Sequence, residues 1–322
     1  MEKALLLLLM FWNIENFYDP YPSGQYNDAE YTAQGEKRWA YNRFARKADD
    51  IAKMILSAAD NETLPHIIAF AEVENRYVLE HLLDRTILKQ YQTQYRIVHK
   101  DSPDPRGSDV ALLYNINGYK LLNTQFHKVI SAQNDTLATR EILYAKFVGR
   151  QNTEDTLHVF VNHWPSKRGG GKRSQGRREA ASALLNRLAD SVILRHPEHI
   201  VIACGDFNTS QPNVDLGNVD AKPAGVFGDL KVGGSYKYKG KWEMIDNCFI
   251  YSPWRADCAK VGNSLDSMET ECLSYELLLF NHPYLLLPDK KYLGLKPRRT
   301  YVGPVYQGGV SDHLPLVLKV FR

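Results

Sequence analysis

No C-x-x-C pair occurs among these 322 residues, and there are only four cysteines, Cys204, Cys248, Cys258 and Cys272. A structural zinc site or a thioredoxin-type dithiol therefore has no foothold. Cys204 and Cys248 stand inside apolar runs and read as small core residues. Cys258 and Cys272 share a loop-like stretch, where a disulfide and two free thiols are both open. There is no Gly-x-x-x-x-Gly-Lys loop to cradle a nucleotide and no Gly-x-Ser-x-Gly elbow to present a serine nucleophile. Repeats, low-complexity tracts and linkers are missing too, which predicts a single domain over residues 1–322. A large excess of one charge is also lacking. The net charge of +3 lies too near neutral to argue for nucleic acid by itself.

The N-terminal apolar run from Ala4 to Trp12 falls far short of the roughly 20 residues a membrane helix needs. Behind Glu2-Lys3 it has the length of a signal-peptide core, but no small-residue cleavage site follows it. Its length and composition favour a buried first strand. On that reading the chain is cytoplasmic; it would be secreted or periplasmic if a longer precursor carried a signal.

What is present is an ordinary enzyme composition, with 44% hydrophobic and 24% charged residues, which excludes disorder. Strand-length apolar runs recur at Leu5–Trp12, His66–Phe70, Val110–Tyr114, Ile142–Val148, Leu157–Val161, Ile200–Cys204, Ile245–Tyr251 and Leu314–Val320. Helical spacing joins Phe44, Ala48, Ile51, Ala52 and Ile55, and again Ala181, Leu184, Leu185, Leu188 and Val192. Pro65 and Pro197 break the chain after each. Many strands with a few amphipathic helices predict a layered α/β protein.

The apolar runs end abruptly in Asn13, Glu72, Asn162-His163 and Gly205-Asp206-Phe207-Asn208, and Ser311-Asp312-His313 stands just ahead of the last run. Polar groups at strand termini are held by a rigid sheet yet open to solvent, which suits catalysis. Glu72 follows a strongly apolar run where no turn residue is needed, and a charge there must be paired or bind a metal. Glu74, the competing carboxylate, reads as solvated or as a cap for the next helix. Asp206 and Asn208 leave their strand on the same side, and Gly205 permits close backbone approach. Each motif alone also fits a turn or a satisfied core residue. As a set, hard oxygen ligands without a Cys/His cluster select Mg²⁺, Mn²⁺ or Ca²⁺, and two imidazoles beside them suit phosphoryl chemistry.

Trp12-Asn13-Ile14-Glu15-Asn16, Ala71-Glu72-Val73-Glu74-Asn75, Asn162-His163-Trp164-Pro165-Ser166, Gly205-Asp206-Phe207-Asn208 and Ser311-Asp312-His313 resemble, in order and spacing, the endonuclease/exonuclease/phosphatase superfamily. Segments 33–55, 106–110 and 296–312 resemble a bacterial subgroup of it. The resemblance implies a four-layer α/β sandwich, with two packed, mainly antiparallel sheets flanked by helices. It implies Mg²⁺, or Mn²⁺ or Ca²⁺, held by Glu72 with Asn13 and Asp312. Asp206 would align and deprotonate the attacking water with help from Asn208. His313, oriented by Asp246, would contact the scissile phosphate, and His163 would bind phosphate and protonate the leaving group. Asp246 is the weakest of these carry-overs because its local motif is short. Arg106 and Tyr114 are further phosphate neighbours by position, each equally readable as a surface charge or a packed aromatic.

The expected partner is a phosphate ester, with a nuclease or other phosphodiesterase ranked first, because the basic segments Ser166–Arg173 and Lys290–Arg299 flank the site. A phosphomonoesterase for inositol or sugar phosphates, or a sphingomyelinase-like lipid phosphodiesterase, ranks second. A non-catalytic protein that keeps the fold ranks third. Leu277–Pro288 could touch a membrane, but an apolar run broken by proline is more often packed on the core. No protein partner is inferred.

Overall fold

The eight apolar runs all become strands, because each presents enough buried surface to be worth sheathing on two sides. The computed structural model describes residues 4–322 apart from 132–134, 154, 168–170, 217–224, 227–231 and 253–273. Cys258, Cys272 and part of the basic segment after Ser166 lie outside the described residues. In chain order the main elements are β1 (Leu5–Phe17), α1 (Tyr41–Ser57), β2 (Ile67–Val73), α2 (Arg76–Asp84), β3 (Tyr95–His99) and β4 (Asp109–Asn115). There follow β5 (Tyr119–His127), β6 (Ile142–Gly149), β7 (Thr156–His163), α3 (Gly171–Arg195) and β8 (Ile200–Asp206). Strands Asp246–Tyr251, Ser274–Leu279 and Leu316–Phe321 complete the framework.

Two sheets result. The larger runs β3-β4-β2-β1, then Leu316–Phe321, Ser274–Leu279 and the short Gly225–Val226; the smaller runs from Asp246–Tyr251 through β8, β7 and β6 to β5. Most neighbours are antiparallel, but β1 and β2 are parallel, as are β7 and β8 and the short Gly225–Val226 with Ser274–Leu279. The first two of these pairs are joined through a helix, α1 and α3 respectively, as suits a parallel crossover.

Period-two alternation shows how the layers form. On β8, Ile200, Ile202 and Cys204 enter the core between the sheets, while Val201 and Ala203 join the separate core under α3. On β7, Leu157, Val159 and Val161 point inward and Phe160 outward to that same helix core. Helix α1 buries Phe44, Ala48, Ile51, Ala52 and Ile55, so the two periodic stripes in the sequence are indeed the helix faces that cover the sheets. This is the expected four-layer sandwich. Cys204 and Cys248 face each other across paired strands as buried free thiols.

The apolar stretch at 277–288 is mostly core: Leu277, Leu279, Phe280 and Leu285 are almost wholly buried. No helix among the described residues is long and apolar enough to cross a membrane.

Topology also decides where function sits. Asn13 lies near the C-terminal end of β1, Glu72 near that of β2, and His163 and Asp206 end β7 and β8. Asp246 opens its antiparallel strand directly opposite Asp206, and Asp312-His313 precede Leu316–Phe321 on the strand's way into the other sheet. All therefore gather at one rim of the sandwich.

Candidate active site

Both central parallel strands break their register at the rim. β1 shifts between Asn13 and Phe17, and β2 between Ala71 and Val73. Glu15, Asn16 and Glu72 there adopt positive φ angles of 45°, 50° and 64°, a region side chains other than glycine seldom occupy. Such strain persists only where surrounding contacts hold it. Here the Asn16 N–H donates to Glu72 Oε2 at 2.8 Å, and the Glu15 N–H donates to Asn13 Oδ1 at 3.0 Å. The bulges turn Asn13 and Glu72 toward the opposite sheet.

Asn13 then bridges the sheets. Its Nδ2 donates to Glu72 Oε1 (3.3 Å) and to Asp206 Oδ2 (3.0 Å), so its amide nitrogen faces the carboxylates while its oxygen is used within β1. The Asn208 N–H donates to Asp206 Oδ1 at 2.9 Å, and Asn208 Nδ2 donates to the Trp164 carbonyl, tying the β8 turn to the β7 end. Gly205 is required here: a Cβ would lie 2.4 Å from the Asn162 carbonyl oxygen. Burial, reinforced by Asp246, pushes the Asp206 carboxyl up to about 7.

His313 occupies the other side of Asp206, with Nε2 3.8 Å from its Oδ2 and Nδ1 2.7 Å from Asp246 Oδ2. Burial alone would lower its pKa, but Asp246 and Asp206 outweigh that and hold it well above the ordinary histidine value. The loop carrying it is stitched to β1: Ser311 Oγ donates to the Asn13 carbonyl at 2.6 Å, and Trp12 Nε1 donates to the His313 carbonyl at 3.0 Å.

His163 is the opposite case. Its Nε2 stands 3.7 Å from Asp206 and 3.9 Å from Glu72, and accepts from Arg140 Nη2 at 2.9 Å. Burial first, then the charges of Arg140, Arg106 and His313, hold its pKa well below the ordinary value. One imidazole of the site is thus neutral and the other cationic at neutral pH.

The structure brings together all eight expected site residues and adds others. Arg140 is buried against Asp104 (3.2 Å), and Arg106, which also pairs with Asp104, lines the cleft. The 100–108 loop that carries Asp104 and Arg106 is pinned by Asp109, whose Oδ1 accepts from the Ser102 N–H and whose Oδ2 meets His99. Arg299 links Glu15 (3.0 Å) to Asp312 (2.9 Å), and Lys47 is buried beneath them, donating to Thr300 Oγ1 and the Glu15 carbonyl. Burial and Asp312 raise Glu15 to about 7, and burial lowers Lys47 to about 8.

Of the two readings open for Tyr114, the packed aromatic holds: it packs on Phe147 at 5.3 Å between ring centres and does not line the cleft. One expectation is corrected. Glu74 neither caps α2 nor faces solvent. Asn75 is the cap, accepting from the Val78 N–H, and Glu74 is buried, accepting from the Asp19 N–H at 2.6 Å with its carboxyl raised to about 9 by burial and Asp19.

A cleft of about 530 Å³ opens over these groups, walled by Tyr31, Tyr236, Tyr238 and Tyr301. Of the expected site carboxylates, Glu72 and Asp312 keep some exposure to it, 18% and 16% of their side chains. A hard divalent cation fits this donor set: carboxylate oxygens predominate, both described thiols are sealed in the core, and a buried Asp246 oxygen lacks any partner. Asp206, Asp246 and His313 also lie close enough to share an ion, but Nδ1 of the imidazole is already engaged by Asp246.

Oxygen donors for a cation, a buried carboxyl base and a carboxylate-held imidazolium around one cleft define a hydrolase centre. The chain belongs to the Endonuclease/Exonuclease/phosphatase family, whose model matches residues 8–322. Members of that family are divalent-metal-dependent hydrolases of phosphoesters. Truncated Caenorhabditis elegans TDP2 shares the fold with a TM-score of 0.57 at 14% identity, over 98% of this chain and 97% of its own. The human Nocturnin catalytic domain gives 0.54 at 14% identity, over 100% and 97%. A Bacteroides thetaiotaomicron mannosyl-6-phosphatase gives 0.56 at 14% identity, over 98% and 99%. A sequence search of the curated proteins finds no match.

Proposed function

We propose that this chain hydrolyses phosphate esters with a divalent cation held by Glu72 and Asp312, Asn13 fixing Glu72 relative to Asp206. The observation that carries this reading is the split pair of imidazoles around one raised carboxyl. When bound, the cation supplies Lewis-acid stabilisation of phosphoryl charge. The chain does the rest. Asp206, aligned by the Asn13 amide and the Asn208 N–H, accepts a proton from the attacking water. His313, kept cationic by Asp246, stabilises the charge gathering on phosphorus-bound oxygen. His163 and Arg140 bind phosphate from the far side. A neutral His163 is a poor acid, so the expected protonation of the leaving group falls to His313 or to solvent.

For the substrate, the described residues favour a compact phosphorylated solute, such as a sugar or inositol phosphate, over a long nucleic acid. The cations lining the cleft are paired with carboxylates: Arg299 with Glu15 and Asp312, Arg140 and Arg106 with a shared Asp104, Lys37 with Glu30 and Lys167 with Glu243. A continuous basic track, which strong nucleic-acid binding needs, is not among them. The tyrosine walls suit polyol stacking, and the mannosyl-6-phosphatase of similar fold has a substrate of that kind in its name. The nuclease reading keeps one observation in its favour: Ser166 and Lys167, at the start of the basic segment, line the cleft.

A screen of sugar phosphates, inositol phosphates and plasmid DNA with Mg²⁺, Mn²⁺ and Ca²⁺ separates the two, with Asp206→Asn as control. The variant should lose at least about a thousandfold in turnover while remaining folded. Unchanged turnover would sink the mechanism, and DNA nicking without release of phosphate from small esters would reverse the substrate order.

A further inference from the structure

At the end of β7 opposite the catalytic rim stands a second group of chemistry-bearing side chains. His196-Pro197-Glu198-His199 forms a tight turn between α3 and β8, closed by the His199 N–H on the His196 carbonyl and anchored where Tyr251 Oη donates to the Pro197 carbonyl. Its three donor atoms converge: His196 Nδ1 is 3.4 Å and His199 Nε2 3.1 Å from Glu198 Oε1, and all three lie within 4.8 Å of one another. Tetrahedral ligands at about 2.0–2.1 Å from a zinc-class ion stand about 3.3 Å apart, so both measured edges suit a shared ion. The imidazoles of His196 and His199 stack with ring centres 4.6 Å apart.

Behind the turn is a supporting layer of the kind metal sites need. His199 Nδ1 is 3.0 Å from His158 Nε2, and His158 Nδ1 is 2.9 Å from Tyr144 Oη. In the proton order that a bound ion requires, His199 Nδ1–H donates to His158 Nε2 and His158 Nδ1–H donates to Tyr144 Oη. That leaves the His199 Nε2 lone pair, aimed at Glu198, free for an ion. A ligating histidine whose other nitrogen is held in this way is oriented and made more basic. His158 itself is almost wholly buried, whereas His196 and Glu198 are open to solvent, leaving an approach for an ion.

We propose that His196, Glu198 and His199 form a binding site for a borderline divalent transition ion of the Zn²⁺ class, with a fourth position open to water. It is separate from the catalytic centre. His158 and His163 lie five residues apart on β7, about 17 Å along the strand. Two nitrogen donors distinguish it from the oxygen-dominated rim, and the two sites therefore prefer different ions. An ion here clips the end of α3 to the start of β8.

The test is a titration of chelator-treated protein with Zn²⁺ by calorimetry, and with Co²⁺ for its visible ligand-field bands. Glu72→Gln serves as background, so that the catalytic rim does not contribute. One equivalent of Zn²⁺ should bind, Co²⁺ should give the intense bands of low coordination number, and Zn²⁺ should raise the melting temperature. His196→Ala/His199→Ala should remove all three while melting normally in chelator. His158→Phe should weaken Zn²⁺ binding about 10–100-fold by releasing His199. Zn²⁺ binding that survives the double substitution, or the absence of any Zn²⁺ binding in the Glu72→Gln protein, overturns the proposal.

Discussion

Replacing Asp246 with Asn tests the electrostatics of the site through two residues at once. The carboxylate lies 2.7 Å from His313 Nδ1 and sits in register opposite Asp206. With charge centres about 4 Å apart and an effective dielectric near 20, its attraction for the imidazolium is about 4 kcal/mol, or up to about 3 pKa units. Neighbouring charges in proteins typically move a pKa by about 1–3 units. Without that charge the His313 pKa falls, so the alkaline limb of the kcat/KM profile moves to lower pH. The same charge raises Asp206, after burial itself, so removing it lowers the Asp206 pKa and moves the acidic limb the same way. The whole bell should therefore slide toward acid, by about 1–3 units on the alkaline side, with turnover at its maximum down about 10²-fold or more. The assay is a pH series on a chromogenic phosphate ester at saturating Mg²⁺. Limbs that stay put, or that move apart, would refute the charge arrangement.

Stability and binding give two further checks. His158 is depressed to about 3 from an unfolded value of 6.5, so the unfolded chain takes up the proton first and stability is lost as pH falls below 6.5. From about pH 8 to about pH 5 this one group should cost about 2 kcal/mol in urea unfolding with chelator present. His158→Phe should flatten that slope, and an equal slope in both proteins would show the acid sensitivity to come from elsewhere. Arg140→Ala leaves buried Asp104 with Arg106 alone and should lower stability by about 3 kcal/mol. Arg140→Lys should keep most of that stability yet raise KM, because an ammonium cannot reach both Asp104 and the phosphate side of His163; a wild-type KM in the lysine variant would remove Arg140 from the binding role.

Much of this was legible in the sequence because it is local. An apolar strand that stops on Asn13, Glu72, His163 or Asp206 announces both the strand and its exposed end within a few residues. Parts of the framework were harder to read. Strand β5 is largely exposed along residues such as Lys120 and Asn123, so it has no apolar run to find. Helix α2 has only two and a half turns, though its Asn75 cap could have been recognised. The supporting ion pairs were not legible. Arg140 and Asp104 come from ordinary-looking segments, Lys47 shows only as part of a helix and Arg299 only as the end of a basic run, and their meaning lies in partners brought close only by folding. Glu15 stands inside a motif yet shows no role in the sequence, for the same reason: its partner Arg299 is 284 residues away.

The stitching of the His313 loop to β1 has a temporal consequence. Trp12 and His313 are 301 residues apart, yet the hydrogen bond between them, with that from Ser311 to Asn13, closes the site. On a ribosome the early strand must wait, its bulge formed but its partner not yet made, until the strand Leu316–Phe321 slides in between β1 and Ser274–Leu279. Hydrolysis therefore waits for that strand. A partly made chain cannot attack phosphate esters before the strand is in place, and regained turnover in a refolding experiment would time its arrival.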